Sequence, residues 1–179
     1  MTDTGSDPNT RGQSTPGGTA ATKAWQRTLE DMEGLAEERE EQGWDVVSII
    51  SGNTAPTPPS GSEDDWFGPS FIIPDNKATP FEEAFERGEF PLYEVYRETV
   101  DDRVFLVVEY IDPDVETVIM IAGQYRLRNA AGMASAAIDD DVIYTRVQTL
   151  DGTVLGSFQH EEYEKFVPDV ERVADWHDD

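Results

Sequence analysis

The sequence predicts an α+β domain: a mainly antiparallel sheet of five to six strands, with an N-terminal amphipathic helix and a small-residue helix packed on it. Three observations predict it. Apolar residues recur at helical spacing between Trp25 and Ala36. From Leu92 onward several segments alternate with the period of a strand. Two such pairs of segments are separated by short turn signals, Asp101-Asp102 and Asp151-Gly152.

Residues 1–20 are mostly Thr, Gly, Ser and Pro, a composition that buries little apolar surface and predicts a disordered tail. A helix follows, with Trp25, Leu29, Met32 and Ala36 on one side, Leu35 beside them, and Gly43 as its stop. Glu30, Glu33, Glu37 and Glu40 fall off that stripe and read as its solvated face. A strand begins at Trp44, "WDVVSII". Residues 52–65 are Pro, Ser and Gly-rich and predict a mobile loop. "WFGPSFIIPDN" is apolar again, but its prolines disfavour a central strand.

In "TPFEEAFERG", Thr79 is placed to cap a helix with Pro80 at its first position, and Gly88 closes it. "LYEVYRETV" and "RVFLVVEYI" predict a hairpin. The second is apolar on both faces and therefore interior. "ETVIMIAG" gives a further strand, and the stretch from Tyr125 to Asp141 suits the small-residue helix. Asp151-Gly152 joins "VIYTRVQTL" to "TVLGSFQ". "EEYEKFVPD" reads as a closing turn or short helix, so residues 21–168 form one domain and 169–179 an acidic tail. There is no internal repeat.

The chain of 179 residues carries 38 Asp and Glu against 13 Lys and Arg, a formal charge of −25, with only three lysines. The carboxylates are spread through segments that also hold apolar patterns. Such a surface repels itself in dilute buffer, whereas at molar salt the screening length falls to about 3 Å. The composition therefore predicts a salt-adapted protein of a salt-rich cytoplasm. No apolar leader stretch opens the chain, and "VIMIA" is far too short to cross a bilayer, so a soluble cytoplasmic protein is expected.

"GWDVVSIISGNTAP", "FPLYEVYRE" and "LDGTVLGSFQHEEYEKFVPD" resemble a family of uncharacterised haloarchaeal proteins, over about residues 25–168. The shared stretches are a helix-to-strand junction and a hairpin. The resemblance implies a domain of unknown function, an organism class and a compartment, and transfers no catalytic residue.

The absence of cysteine excludes thiolate chemistry and disulfides. "DPDVE" begins like a calcium loop, but Thr117 and Gly123 stand where Gly and Glu are needed. With two histidines, zinc is poorly supported, and neither a metal nor a cofactor is implied. No nucleophile elbow or phosphate loop is present, and the charge opposes nucleic acid. His160, beside Glu161 and Glu162, is the ionisable group suited to acid–base work, and its acidic neighbours favour its protonated form.

Two function classes remain. A non-catalytic protein-interaction module, with an unknown protein partner or self-association, would use a sheet edge or the aromatic segment Trp66, Phe67 and Phe71. A binder of small anionic molecules, or an enzyme, would gather Tyr125, Arg126, Arg128 and His160 around a pocket. The sequence favours the first, because no nucleophile, base and orienter read as a set.

Overall fold

The computed structural model describes residues 16–61 and 66–178. The disorder expected for residues 1–15 and the part of the mobile loop at 62–65 lie outside the described residues.

Helix α1 spans Pro16–Glu41, so it begins inside the segment expected to be unstructured. It ends at Gly43, whose φ of 91° lets the Trp44 N–H return to the Arg39 carbonyl at 3.0 Å. The chain continues as β1 (Asp45–Ile50), β2 (Asn53–Thr57) and β3 (Gly68–Ile72). Helix α2 (Ala78–Arg87) follows a 3-10 turn at Asp75–Lys77 that runs straight into it; Lys77, not Thr79, precedes its first residue. Strands β4 (Leu92–Val100), β5 (Arg103–Asp112) and β6 (Thr117–Arg126) form a meander. Helix α3 covers only Ala131–Asp140, because β6 extends through Tyr125 and Arg126. The β7 (Ile143–Gln148) and β8 (Val154–His160) hairpin and helix α4 (Val170–Asp175) complete the fold.

The strands form two four-stranded mixed sheets, not one antiparallel sheet of five or six strands. The first has the order β1-β6-β5-β4 and the second β2-β3-β7-β8. Each contains one parallel pair, β1 with β6 and β3 with β7. Alternation marks a strand but not its partner. Both parallel pairs join segments more than sixty residues apart, with no turn signal between them.

Two strands arise where the sequence argued for loop. Pro56 and Pro69 face each other across β2 and β3. β2 is a sheet edge, and Pro69 precedes Ser70, where pairing with β7 begins, so neither proline deprives a ladder of a donor. Gly68 is needed at that junction: its φ is 142°, and a Cβ there would lie 1.7 Å from the Tyr144 carbonyl oxygen.

The double-sided apolar pattern of β5 and β6 follows from two coverings. Val104, Leu106, Val108 and Tyr110 of β5, with Ile119, Ile121 and Tyr125 of β6, belong to the large core shared with Phe71, Ile143 and Val147 of the second sheet. Val107, Ile111, Val118, Met120 and Ala122 point the other way, onto Met32, Leu29 and Trp25 of α1. The close approach of the sheets requires Gly123, where a Cβ would meet Thr54 Oγ1 at 2.3 Å and the Phe71 ring at 2.8 Å. The segment expected as an acidic tail instead carries α4, with Val173 fully buried against the large core. Residues Val170, Val173 and Ala174 give it one apolar side.

Candidate functional site

The first sheet is covered unequally. Four strands at about 4.8 Å spacing make a surface roughly 19 Å wide, and one helix is about 10–12 Å across. Helix α1 therefore leaves strips of sheet uncovered on both sides. Ile50 on β1 is 48 % exposed, and Leu92 and Tyr96 on β4 are 52 % and 41 % exposed. All three stand on the helix side, because their partners Ala122, Ile111 and Val107 do. On the β1 side the strip is a groove of about 620 Å³. Leu29, Met32, Ala36, Ile50 and Pro74 line its apolar part, and the glutamates Glu33, Glu37 and Glu40 line its helix wall. The three glutamates are exposed.

An ion pair fastens α1 above this face. Arg39 Nε donates to Glu109 Oε2 at 2.9 Å, and the Glu109 side chain is fully buried. The Arg39 guanidinium also stacks on Trp44, 5.1 Å from the ring centre. A lone glutamate in the middle of "VFLVVEYI" is the sequence signal for such a partner, since a buried carboxylate must be paired. Arg27 adds an exposed pair with Glu98.

His160 lies on the other side of the first sheet. It ends β8 and is 3 % exposed. Tyr93 and Phe166 flank its ring at 4.5 and 4.7 Å, with Tyr110 at 6.0 Å. Its Nε2 is 2.9 Å from Thr145 Oγ1, which is 2.7 Å from the Tyr110 hydroxyl. Its Nδ1 is buried and has no hydrogen-bond partner among the described residues. Burial lowers the imidazole pKa to about 4, so His160 is neutral at physiological pH. The protonated form favoured by the sequence neighbours is thus corrected: Glu161 and Glu162 are exposed, and desolvation governs the ring.

His160 lines a cleft of about 270 Å³ together with Phe85, Phe90, Tyr93, Tyr110 and Phe158. Asp112 holds one rim. Its Oδ2 accepts the N–H groups of Glu89 and Phe90 at 2.7 and 3.0 Å, and its Oδ1 accepts that of Asp114 at 3.0 Å. These bonds hold the Asp112 carboxyl below the usual range. They also keep Phe90 at a φ of 51°, which a bulky residue adopts only when its surroundings enforce it. The acidic run that opens like a calcium loop is thus a turn whose first carboxylate is occupied by backbone donors.

The sequence-selected arginines stand elsewhere. Arg126 is opposite Arg103 at the first residue of β5, whereas Tyr110 beside His160 is near that strand's other end. Arg128 Nε pairs with Asp102 at 2.8 Å, and Arg126 approaches the same carboxylate at 3.9 Å. Neither lines the His160 cleft. Tyr125 is buried, and its hydroxyl donates to the Phe166 carbonyl at 2.6 Å. It therefore supports the residue against which His160 packs.

In the aromatic segment, Phe67 and Phe71 are core residues, and the part-exposed Trp66 is covered by the Arg146 guanidinium 4.0 Å from its ring. Sequence reasoning passed over Arg103, which donates to Gln124 at 3.1 Å in a polar pocket of about 420 Å³ with Ser51 and Thr54. Among the described residues no cluster of three or more His, Asp and Glu is placed to hold a metal, and no helix is long and apolar enough to cross a membrane.

Residues 12–168 match a family of unknown function, DUF7529. The chain belongs to this family. The match takes in both sheets and helices α1, α2 and α3, and it ends before α4. It thus contains both the groove beside α1 and the cleft at His160. No curated protein and no solved structure matches the chain.

Proposed function

We propose that this chain is a non-catalytic docking module that takes a basic, amphipathic segment of another protein into the groove between α1 and β1. The observation that carries the reading is the half-covered sheet: a second helix or an extended strip of similar width would complete the layer that α1 begins. Ile50, Leu29, Met32 and Ala36 would receive its apolar side. Glu33, Glu37 and Glu40 would face its lysines or arginines. A second copy of this chain is disfavoured as the occupant, since it would bring the same glutamates and a further charge of −25. The same reading keeps the acidic shell as an adaptation to a salt-rich cytoplasm.

The test is calorimetric titration of the full chain in 1 M KCl with a designed Leu/Lys amphipathic helix of about 15 residues, alongside a scrambled peptide of equal composition. At that salt diffuse attraction is screened. Saturable binding at least tenfold weaker for the scrambled peptide, and lost in Ile50→Asp, supports the reading. Equal binding of both peptides, or an unchanged affinity in Ile50→Asp, overturns it. Sedimentation showing a dimer that Ile50→Asp dissociates would assign the groove to a second copy instead.

A further inference from the structure

We infer that the pocket at Arg103 is a binding site for a small monocarboxylate with a flat apolar body, such as an arylacetate. The inference does not rest on the docking reading. The pocket adjoins the groove at Ile50, but neither Arg103 nor Gln124 lines that groove.

Several elements build the pocket. Arg103 opens β5, and Gln124 lies near the end of β6. The connection from β1 to β2 brings Ser51, with Thr54 of β2 close to it. Helix α1 brings Trp25, whose ring packs on Phe105, the ladder partner of Gln124. One bond sets the donors: Arg103 Nη1 donates to Gln124 Oε1 at 3.1 Å. With its oxygen taken, Gln124 has its amide N–H groups left to give, and the guanidinium keeps its other N–H groups. Ser51 and Thr54 bond to each other at 2.8 Å and take none of them. Arg103 and Gln124 are partly exposed, and neither leaves a buried nitrogen without a partner, so the remaining donors are open to solvent.

Charge identifies the acceptor. The chain has 38 acidic residues against 13 basic ones, yet no acidic residue lines this pocket. The groove beside α1, the cleft at His160 and two further clefts, at Ser135 and at Tyr96, each hold at least one. No ion pair among the described residues includes Arg103. Its chain neighbour Asp102 is taken by Arg128 and Arg126. A guanidinium holds a planar carboxylate through two parallel bonds, and such charge-assisted bonds are roughly twice as strong as neutral ones. One guanidinium balances one negative charge, and the net charge of −25 opposes a second, so a monoanion is favoured over a phosphate dianion. Trp25 and Ile50 supply an apolar wall for the rest of the ligand. The volume of about 420 Å³ exceeds the roughly 150 Å³ that holds benzene, so a ring and its carboxylate fit together.

The test is titration of the full chain with phenylacetate, phenylacetamide and inorganic phosphate, followed by ¹⁵N NMR of the Trp25 indole and the Gln124 side-chain amide. About 1 M potassium fluoride screens diffuse repulsion, and its strongly hydrated anion competes little for a guanidinium. Phenylacetate is expected to bind saturably and shift both signals, at least tenfold tighter than either of the others. Arg103→Met should abolish the preference for the acid over the amide. Gln124→Glu, which sets a carboxylate against the guanidinium, should weaken phenylacetate at least tenfold, and it serves where Arg103→Met fails to fold. Absence of saturable phenylacetate binding, equal binding of phenylacetamide or phosphate, or an affinity unchanged in Gln124→Glu contradicts the proposal. Neither substituted residue lines the groove, so this result and that of the helix titration are read separately.

Discussion

Glu109 and Tyr110 are neighbours on β5 and face opposite sides of one sheet. Beneath α1, the buried Glu109 side chain is paired with Arg39 on a surface that remains partly open. On the other side, Tyr110 joins Thr145 and His160 in a chain of neutral groups sealed by the second sheet. The contrast shows how covering decides chemistry. One helix leaves room for a charge whose partner still reaches solvent: the Arg39 side chain is 26 % exposed. A whole sheet leaves none, so the inner polar groups are neutral hydroxyls and an imidazole whose protonation is suppressed.

The comparison breaks first in the inner core. Phe71 is fully buried between the sheets, and Phe71→Ala should cost about 4 kcal/mol in denaturant titration. Leu29→Ala, on the half-covered face, should cost much less; equal losses would mean that both faces are closed alike. Next is the buried charge. Arg39→Met should cost about 3 kcal/mol by stranding Glu109, and adding Glu109→Leu should restore most of it. A double variant no more stable than the single one would show that the carboxylate is not held by that pair.

The His160 imidazole gives a smaller, pH-dependent effect. Its folded pKa of about 4 lies below the unfolded value of about 6.5, so the folded state is disfavoured by protonation. Stability from this group is complete above pH 6.5 and is lost as pH falls toward 4, amounting to about 2 kcal/mol by pH 5. Asp112 also has a lowered pKa and works in the same direction at lower pH, so the informative quantity is the difference between the natural chain and His160→Phe. Parallel stability curves for the two would contradict the buried neutral ring. The smallest effect belongs to Ile50→Thr, which should change stability by less than about 0.5 kcal/mol, because Ile50 is half exposed.

Much of this architecture was legible locally. The α1 stripe, the β4–β5 hairpin and the β7–β8 hairpin follow from periodicity and turn residues, which act over a few residues. The division into two sheets did not, because β1–β6 and β3–β7 are long-range parallel pairings that leave no mark between their strands. The prolines of β2 and β3 misled because their effect depends on which edge of the strand is paired. Helix α4 was hidden by its acidic setting, although Val170, Val173 and Ala174 gave it an apolar side.

At the candidate sites, His160 was identifiable as the sole histidine between residues 21 and 168, but its charge state depended on burial rather than on adjacent glutamates. Arg126 and Arg128 were grouped with it by residue type. Their nearest carboxylate, Asp102 in the β4–β5 turn, determines where they point instead. The lone Glu109 was the missed signal for the ion pair under α1.

The most direct test of the open and closed faces is methyl NMR of the full chain in 1 M KCl during addition of the Leu/Lys amphipathic helix. Saturable shifts confined to Leu29, Met32 and Ile50, with Ile49, Ile119 and Ile121 unmoved, are the predicted result. Shifts absent from the α1 groove, or spread evenly over both sides of the first sheet, would contradict the account.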